Sequence, residues 1–328
     1  MKRLILTSSS GTELIHSDLA DFIVVVSFRF VGGPLPSPNE LAIYASEKTD
    51  TRSHWSRMTF AGVHRRGDKT PEGLELVEFC QSFETVELWF DPDPNDQLQL
   101  VWLLDLFSSH PEITAKLKFR HVSFEMVRAT SEELDRWKAF VIDVTDDEFS
   151  IARATWHAYR SPTPEACFDL MSTDLSALPL LRPALLDLIE ELPSGVTGLG
   201  ATEMRVLELI ANGYANTNPL FYLHGLLQRR VFKSDEIGTL LQGLSHGPTP
   251  AVAGLDDELR TIEKDNHKLL DEAYRRSRLS LTEFGKAVLA YKEDFSRHNP
   301  IDRWWGGTRL TNDNLWRWSP VLIPPGKH

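Results

Sequence analysis

The sequence predicts an α/β amino-terminal domain with a mostly parallel, Rossmann-like sheet, followed by a mainly α-helical carboxyl-terminal domain. Residues 22–28 read Phe-Ile-Val-Val-Val-Ser-Phe, an apolar run typical of a strand buried on both faces. Val86, Leu88 and Phe90 recur at every second position, which also predicts a strand. Helical segments alternate with these strands, as in βα units arranged around a parallel sheet.

The second domain is predicted from its helix-start signals. Thr130 with Glu133 and Thr145 with Glu148 both have the spacing of a capping box. The first box predicts a helix that continues to residue 144. We therefore place the domain boundary between residues 1–127 and 128–328.

An acidic turn follows the central strand at residues 85–90. It reads Asp-Pro-Asp-Pro-Asn over residues 91–95, and its prolines cannot donate to a strand ladder. Asp96 is the predicted N-cap of the next helix, with Gln99 as its capping-box partner. Residues 98–107 are apolar except for two positions, which predicts a helix buried on more than one side.

This turn is the first candidate site. It lies between the carboxyl end of a strand and the amino end of a helix, where open α/β sheets bind ligands. Asp91 and Asp93 are candidate magnesium ligands, because hard cations prefer several oxygen ligands. Asp91 and Asp96 are candidate catalytic carboxylates, and Gln97 is a candidate ligand contact. Alternatively, Asp96 caps the helix while Asp91 and Asp93 are solvated.

The loop after the first strand is a second part of that site. Ser8, Ser10 and Gly11 belong to a serine- and glycine-rich loop whose N–H groups can hold a phosphate at a helix start. The loop has neither a Gly-x-Gly-x-x-Gly nor a Gly-Lys-Ser/Thr motif, so an ordinary turn is the alternative. Arg29 follows the next strand at the same edge, where it binds an anion or pairs with the Asp91 turn.

The carboxyl-terminal tail holds four of the nine tryptophans. Residues 302–310 and 315–318 predict one hairpin around residues 312–314, and residues 279–289 are similar to the strand and helix of a winged-helix domain. Arg303 and Trp304 are candidate ligand contacts, because arginine and aromatic side chains together stack on bases. Alternatively, the tryptophans seal the tail by apolar burial.

Composition excludes several classes of protein. The net charge of −12 argues against a phosphate backbone as the main partner. Two cysteines far apart in the chain indicate a reduced, cytoplasmic protein and exclude a disulfide framework. The apolar runs are too short to span a bilayer, and the start of the chain lacks a signal-peptide core.

Several segments resemble one bacterial family. They include residues 7–14, Glu-Leu-Trp-Phe-Asp at 87–91 with Asp-Gln-Leu-Gln-Leu at 96–100, Asp-Arg-Trp-Trp-Gly-Gly at 302–307, and Trp-Arg-Trp at 316–318. Together they are similar to the family known as domain of unknown function 1835. The chain departs from it in the opening loop, where Thr7 and Ser8 stand in place of Gly-Asp. The resemblance implies an α/β domain followed by a helical one, and it implies no activity or cofactor.

Two functions follow. The first is a protein or enzyme that handles a small anionic ligand, such as a nucleotide or phosphorylated metabolite, at the carboxyl edge of the sheet, with magnesium as candidate cofactor. The second is a regulatory or adaptor protein with a degenerate winged-helix domain, whose hairpin binds a protein partner or, as the weaker alternative, DNA. The sequence has no His-Glu-x-x-His and no Gly-x-Ser-x-Gly motif, so whether the chain is an enzyme stays open.

Overall fold

The computed structural model describes residues 2–17, 19–32, 34–44, 58–62, 75–122, 126, 129–137, 140–221, 231–263 and 266–326. The chain forms two compact units. The first comprises residues 1–30, 34–161 and 169–184, and the second comprises residues 31–33, 162–168 and 185–328. The polar composition of residues 49–70 predicts a solvated surface segment, and apart from 58–62 these residues lie outside the described part of the chain.

A six-stranded sheet forms the centre of the first unit. Its strands are β1 (Arg3–Ser8), β2 (Phe22–Val26), β3 (Met58–Gly62), β4 (Thr85–Phe90), β5 (Leu117–His121) and β6 (Val141–Asp143). Their order is β3-β2-β1-β4-β5-β6. The four inner strands are parallel, and β3 and β6 pair antiparallel at the two edges. The predicted mostly parallel sheet is confirmed.

Later strands are added to the sheet on both sides of β1. The chain passes from β1 to β2 on one side, and later returns to add β4 on the other side of β1. Leu4 pairs with both Phe22 and Val86 in register. The carboxyl ends of β1 and β4 are therefore neighbours at the point where an open α/β sheet forms a crevice.

Helices surround this sheet and build the second unit. Those of the first unit are α1 (Pro38–Tyr44), α2 (Leu76–Gln81), α3 (Pro94–Phe107), α4 (Pro111–Thr114), α5 (Ser131–Arg136) and α6 (Asp146–Tyr159). They are followed by α7 (Glu165–Leu170), α8 (Leu181–Glu190), α9 (Ala201–Ala211), α10 (Ser234–His246), α11 (His267–Arg276) and α12 (Glu283–Leu289). Both capping boxes predicted at Thr130 and Thr145 are present.

The boundary of the two units differs from the predicted one between residues 127 and 128, since residues 34–161 belong to the first unit. Helix α6 packs against α3, and Tyr159 Oη donates to the carbonyl oxygen of Phe30 over 3.1 Å. Phe30 also meets the ring of Trp156 edge-on at a centroid distance of 4.8 Å. The first helices beyond residue 128 thus complete the core of the α/β unit, because α3 is apolar nearly all round and needs cover on its outer side.

Two edge strands differ from the sequence prediction. β3 falls in a segment predicted to be polar surface. β6 falls in the helix predicted to run to residue 144, but α5 ends at Arg136 and Trp137 is extended. Val141 and Ile142 are β-branched residues that suit a strand, and they pair with β5.

A buried ion network ties the inner strands together. Glu87 accepts from Arg3 Nη2 over 2.8 Å and from the indole nitrogen of Trp89 over 2.9 Å. Arg120 also contacts Glu87, at 3.4 Å, and its guanidinium lies 4.4 Å from the centroid of the Trp89 ring. The buried Glu87 carboxylate is therefore paired with Arg3 and Arg120 and hydrogen-bonded to Trp89.

The second unit is mainly helical, as predicted, and carries three two-stranded sheets. The charged segment at 256–278 is predicted as one long helix, but in the structure a 3-10 turn at Asp257–Arg260 precedes the shorter α11. The tail forms two hairpins instead of one. Their strands are β9 (Asp302–Trp305), β10 (Thr308–Thr311), β11 (Arg317–Ser319) and β12 (Val321–Ile323), and β7 (Val252–Ala253) pairs with β8 (Ser280–Leu281). Asn218 and Pro219 predict the start of a helix that ends at residue 230, and residues 222–230 of that segment lie outside the described residues.

Each unit contains one buried thiol. Cys80 lies in α2 and Cys167 lies in α7, and burial raises the pKa of each thiol to about 12. Among the described residues, no helix has both the length and the apolar composition needed to cross a membrane.

Asn95 in the first turn of α3 holds the chain that leaves β2. Its Nδ2 donates to the carbonyl oxygen of Phe28, and its Oδ1 accepts from the backbone N–H of Phe30, both over 2.9 Å. Asn95 is 3% exposed, so water cannot replace these two bonds.

We predict that Asn95→Ala lowers the free energy of unfolding by about 2–4 kcal/mol, because a buried N–H and a buried carbonyl lose their partners. Urea unfolding followed by tryptophan fluorescence measures the change. Asn39→Ala, at an exposed position of α1, is the control and should change the free energy of unfolding by less than about 0.5 kcal/mol. Equal values for the two variants would contradict the role of Asn95.

Candidate functional site

The helix that follows the acidic turn begins three residues earlier than predicted. Asp93 is the N-cap, and its Oδ1 accepts from the backbone N–H of Asp96 over 3.0 Å. Pro94 takes the first helical position, which its fixed φ favours. The prediction that Asp96 is the N-cap and Gln99 its capping-box partner was therefore wrong.

Asp96 lies inside the first turn and is 3% exposed. Its Oδ2 accepts from the hydroxyl of Ser8, at the end of β1, and from the backbone N–H of Asp91 over 3.2 Å. Its Oδ1 accepts from Nε2 of Gln99 over 3.3 Å. One carboxylate therefore joins β1, the end of β4 and the first two turns of α3.

Asp91 is also buried, at 2% exposure. Both of its carboxylate oxygens accept from the backbone N–H of Met126, each over 3.0 Å. Its own carbonyl oxygen accepts from Nε2 of Gln97 over 2.7 Å. The alternative in which Asp91 is solvated is therefore wrong, and the Gln97 amide is engaged with the turn itself.

Three carboxylates meet at this point. Oxygen atoms of Asp91, Asp93 and Asp96 all lie within 4.8 Å of one another. Burial raises the pKa of Asp96 well above its usual value, and the neighbouring charges of Asp93 and Asp91 raise it further. The amide of Gln99 lies against this cluster, and its Oε1 is buried without a hydrogen-bond partner.

The loop after β1 continues directly into a 3-10 segment, Ser9–His16. Ser8 caps it, because its Oγ accepts from the backbone N–H of Ser10 over 3.0 Å. A side chain at Gly11 would not fit, since its Cβ would lie 2.0 Å from Oγ1 of Thr7. The predicted Ser8 loop and Asp91 turn thus meet through the bond between Ser8 and Asp96.

Arg29 lies beyond the end of β2 and is half-buried. The residues on both sides of it are fixed by Asn95, so its backbone is held next to the first turn of α3. Arg29 is therefore at the same edge of the sheet as Ser8, Asp91 and Asp96, which are in direct contact with one another.

The arginines of the tail are engaged with carboxylates. Arg303 Nη1 donates to Glu203 over 2.7 Å, and Arg309 binds Asp302 with two bonds of 2.9 Å. Arg317 is buried and donates to Asp294 over 2.9 Å. No array of arginines stacked with tryptophans is formed by these three residues.

The tryptophans of the tail are core residues in part. Trp305 and Trp316 are buried, and the indole nitrogen of Trp305 donates to the carbonyl oxygen of Leu188 over 2.6 Å. Trp304 and Trp318 are half-buried, and Trp318 meets the ring of Phe168 edge-on at 5.7 Å. Burial and cross-strand pairing, the alternative explanation of the tail, account for this arrangement.

A second buried carboxyl group lies close to Arg303. Glu191 accepts from the hydroxyl of Thr202, and from the backbone N–H of Thr202 over 3.2 Å. Burial raises the pKa of Glu191 to about 7, the charge of Glu203 adds to the rise, and the Thr202 hydrogen bonds and Arg303 oppose it.

Sequence reasoning missed three contacts in or beside the carboxylate cluster. Asn95 was given no role, and Gln99 was given the role of a capping-box partner, although both are polar positions in an otherwise apolar helix. The backbone N–H of Met126 carries no signal at all, because any residue except proline supplies one.

Comparison of the chain with models of protein families found no match, and no curated protein sequence matches it either. The resemblance to the domain of unknown function 1835 stays a prediction.

We predict a pH dependence of stability from Glu191. Its pKa is about 7 in the folded chain and about 4.5 when unfolded, so the unfolded chain loses this proton first as the pH rises. The stabilisation is complete below pH 4.5 and is lost as the pH rises through 7, a decrease of about 3 kcal/mol in the free energy of unfolding.

The measurement compares urea unfolding at several pH values in the natural chain and in Glu191→Gln. The variant should lack this part of the pH dependence, whereas Glu190→Gln, at an exposed neighbouring position, should keep it. Parallel pH profiles in all three proteins would rule out Glu191 as the source.

Proposed function

We propose that the amino-terminal unit binds a small anionic ligand, such as a nucleotide or a phosphorylated metabolite, together with a divalent cation at the carboxyl edge of the sheet. The observation that carries this proposal is the convergence of Ser8, Asp91 and Asp96 where the strand order reverses. Ligands of open α/β sheets bind in the crevice at this point. The same strand order supports a Rossmann-like description of the unit.

The carboxylate cluster suits a hard cation. Oxygen ligands lie about 2.0–2.6 Å from Mg²⁺ or Ca²⁺, so ligands on opposite sides of the ion are about 4–5 Å apart. One carboxylate oxygen from each of Asp91, Asp93 and Asp96 lies within 4.8 Å of the other two, close enough for the three to share one ion.

The cation also explains how an anion would bind beside three carboxylates. Without it, like charges repel a phosphate at this edge. With it, the aspartates would hold the cation and its positive charge would attract a phosphate to this edge, as in other magnesium–phosphate sites. Arg29, held beside the first turn of α3, would then contact the far side of the anion.

The contacts support binding more than catalysis. Asp91 is held by the backbone N–H of Met126, and Asp96 by Ser8 and Gln99. Carboxylates that bind a metal are held in position in this way, by hydrogen bonds from neighbouring groups. Asp91 and Asp96 therefore act in this proposal as metal ligands.

The adaptor function has less support. It needs exposed arginines around the tail tryptophans, and Arg303, Arg309 and Arg317 are each held by a carboxylate. A winged-helix reader of DNA also needs a basic surface, which a net charge of −12 opposes.

The test is a thermal-shift titration of the whole chain with MgCl₂, MnCl₂ or CaCl₂ alone, and then with ATP, AMP and phosphorylated sugars. A ligand at 100 times its dissociation constant adds about 2.7 kcal/mol to the free energy of unfolding. We expect a cation-dependent rise of the melting temperature that EDTA abolishes.

Asp93→Asn is the decisive variant, because asparagine caps a helix about as well as aspartate and the fold is retained. It should lose at least about tenfold in cation affinity, since one charged ligand becomes neutral. Asp146→Asn, in the first turn of α6, is the matched control and should bind as the natural chain does. The proposal fails if no cation raises the melting temperature, or if Asp93→Asn binds as tightly as Asp146→Asn.

A further inference from the structure

A cavity of about 350 Å³ lies in the first unit, outside the carboxylate cluster. It is bounded by α1, α3 and α6, with Leu41, Trp102, Leu106 and Trp156 among the residues that line it. Small-molecule sites in proteins have volumes of roughly 300–1,000 Å³ and mainly apolar walls. The cavity is large enough for one substituted aromatic ring.

Two tryptophans form a rigid part of the wall. Trp102 and Trp156 are almost fully buried. The ring of Phe30 packs edge-on against both, at centroid distances of 5.9 and 4.8 Å, and Phe28 packs against Trp102 at 4.8 Å. The indoles are therefore fixed by the core, and a ligand need not order them.

Basic side chains line one side of the same cavity. Arg153, His157 and Arg160 line it, and all three come from the last turns of α6 or the residue after it. The guanidinium of Arg160 lies 5.5 Å from the centroid of the Trp156 ring, and its Nη1 donates to the carbonyl oxygen of Pro36 over 2.9 Å. This bond fixes the position of one charge beside an aromatic wall.

One acidic residue, Asp105, lines the cavity with them. Its Oδ1 is 3.9 Å from Nε of Arg153, which is longer than a hydrogen bond of about 2.7–3.2 Å. Burial raises the pKa of Asp105, although Arg153 and Arg160 lie close enough to oppose the rise. Asp105 therefore offsets only part of the positive charge, in a chain whose net charge is −12.

We propose that this cavity binds a small aromatic anion, a carboxylate or a phosphate monoester, with its ring against Trp102 and Trp156 and its charge at Arg153 and Arg160. An aromatic ring gains contact with fixed indoles, and a planar guanidinium binds a carboxylate or phosphate with two parallel hydrogen bonds. The site needs no cation, in contrast to the one proposed at the edge of the sheet.

The test is isothermal titration calorimetry of the whole chain, in EDTA, with benzoate, phenyl phosphate and the neutral analogue benzamide. We expect saturable binding of at least one anion at one site, and at least about tenfold weaker binding of benzamide, since the charge-assisted hydrogen bonds are lost. The ratio of benzoate to phenyl phosphate affinity tells which anionic group the site prefers.

Arg153→Gln is the first variant, because its side chain is 64% exposed and the fold does not depend on it. Arg160→Gln is the second, and each should weaken anion binding by at least about tenfold. Arg136→Gln, at an arginine of α5 with a 77% exposed side chain, is the matched control and should bind as the natural chain does.

Three results would overturn the proposal. One is the absence of saturable binding of either anion. Another is benzamide binding as tightly as benzoate, which would make the cavity an apolar site without charge selection. The third is the same anion affinity in Arg153→Gln, Arg160→Gln and Arg136→Gln.

Discussion

The first turn of α3 is buried although it is made of polar residues, and the arrangement of the first unit depends on it. Asn95 binds the chain that leaves β2, Asp96 binds the end of β1, and Gln97 binds the end of β4. Each buried polar atom left without a partner would cost about 1–3 kcal/mol, so these bonds specify one position of the helix against the strands. The apolar remainder of α3 gains burial in almost any orientation, and so cannot supply this specificity.

The same constraint brings three carboxylates together. A helix whose first turn must reach three strand ends presents its polar groups to the crevice between β1 and β4. Asp91 and Asp93 flank that turn, and their charges add to the burial that raises the pKa of Asp96. Structure and binding are thus linked here, because Asp96 fixes the position of α3 and is also a proposed cation ligand. The cavity beside Trp102 lies at the carboxyl-terminal half of α3, where the helix packs mainly through apolar side chains.

Sequence reasoning predicted that Ser8 and the Asp91 turn lie close together, because the carboxyl ends of parallel strands are at the same edge of the sheet. It misplaced the N-cap, since Asp93 and Asp96 are equally good caps and Pro94 decides between them. It missed β3 and β6. These strands form because the edges of the sheet are open to pairing, and this depends less on the hydrophobic pattern of the two segments themselves. The cavity was beyond reach, because Leu41, Trp102 and Arg160 are distant in the chain and meet only after α6 has packed on α3.

The two buried cysteines allow the unfolding of each unit to be followed by chemical labelling. A thiol with a pKa of about 12 has about one part in 10⁵ as thiolate at pH 7, and the thiolate is the form that reacts with alkylating agents. Cys80 belongs to the first unit and Cys167 to the second. Labelling of each cysteine therefore records the opening of its own unit, and mass spectrometry of the two peptides tells whether the halves of the chain unfold together or one at a time.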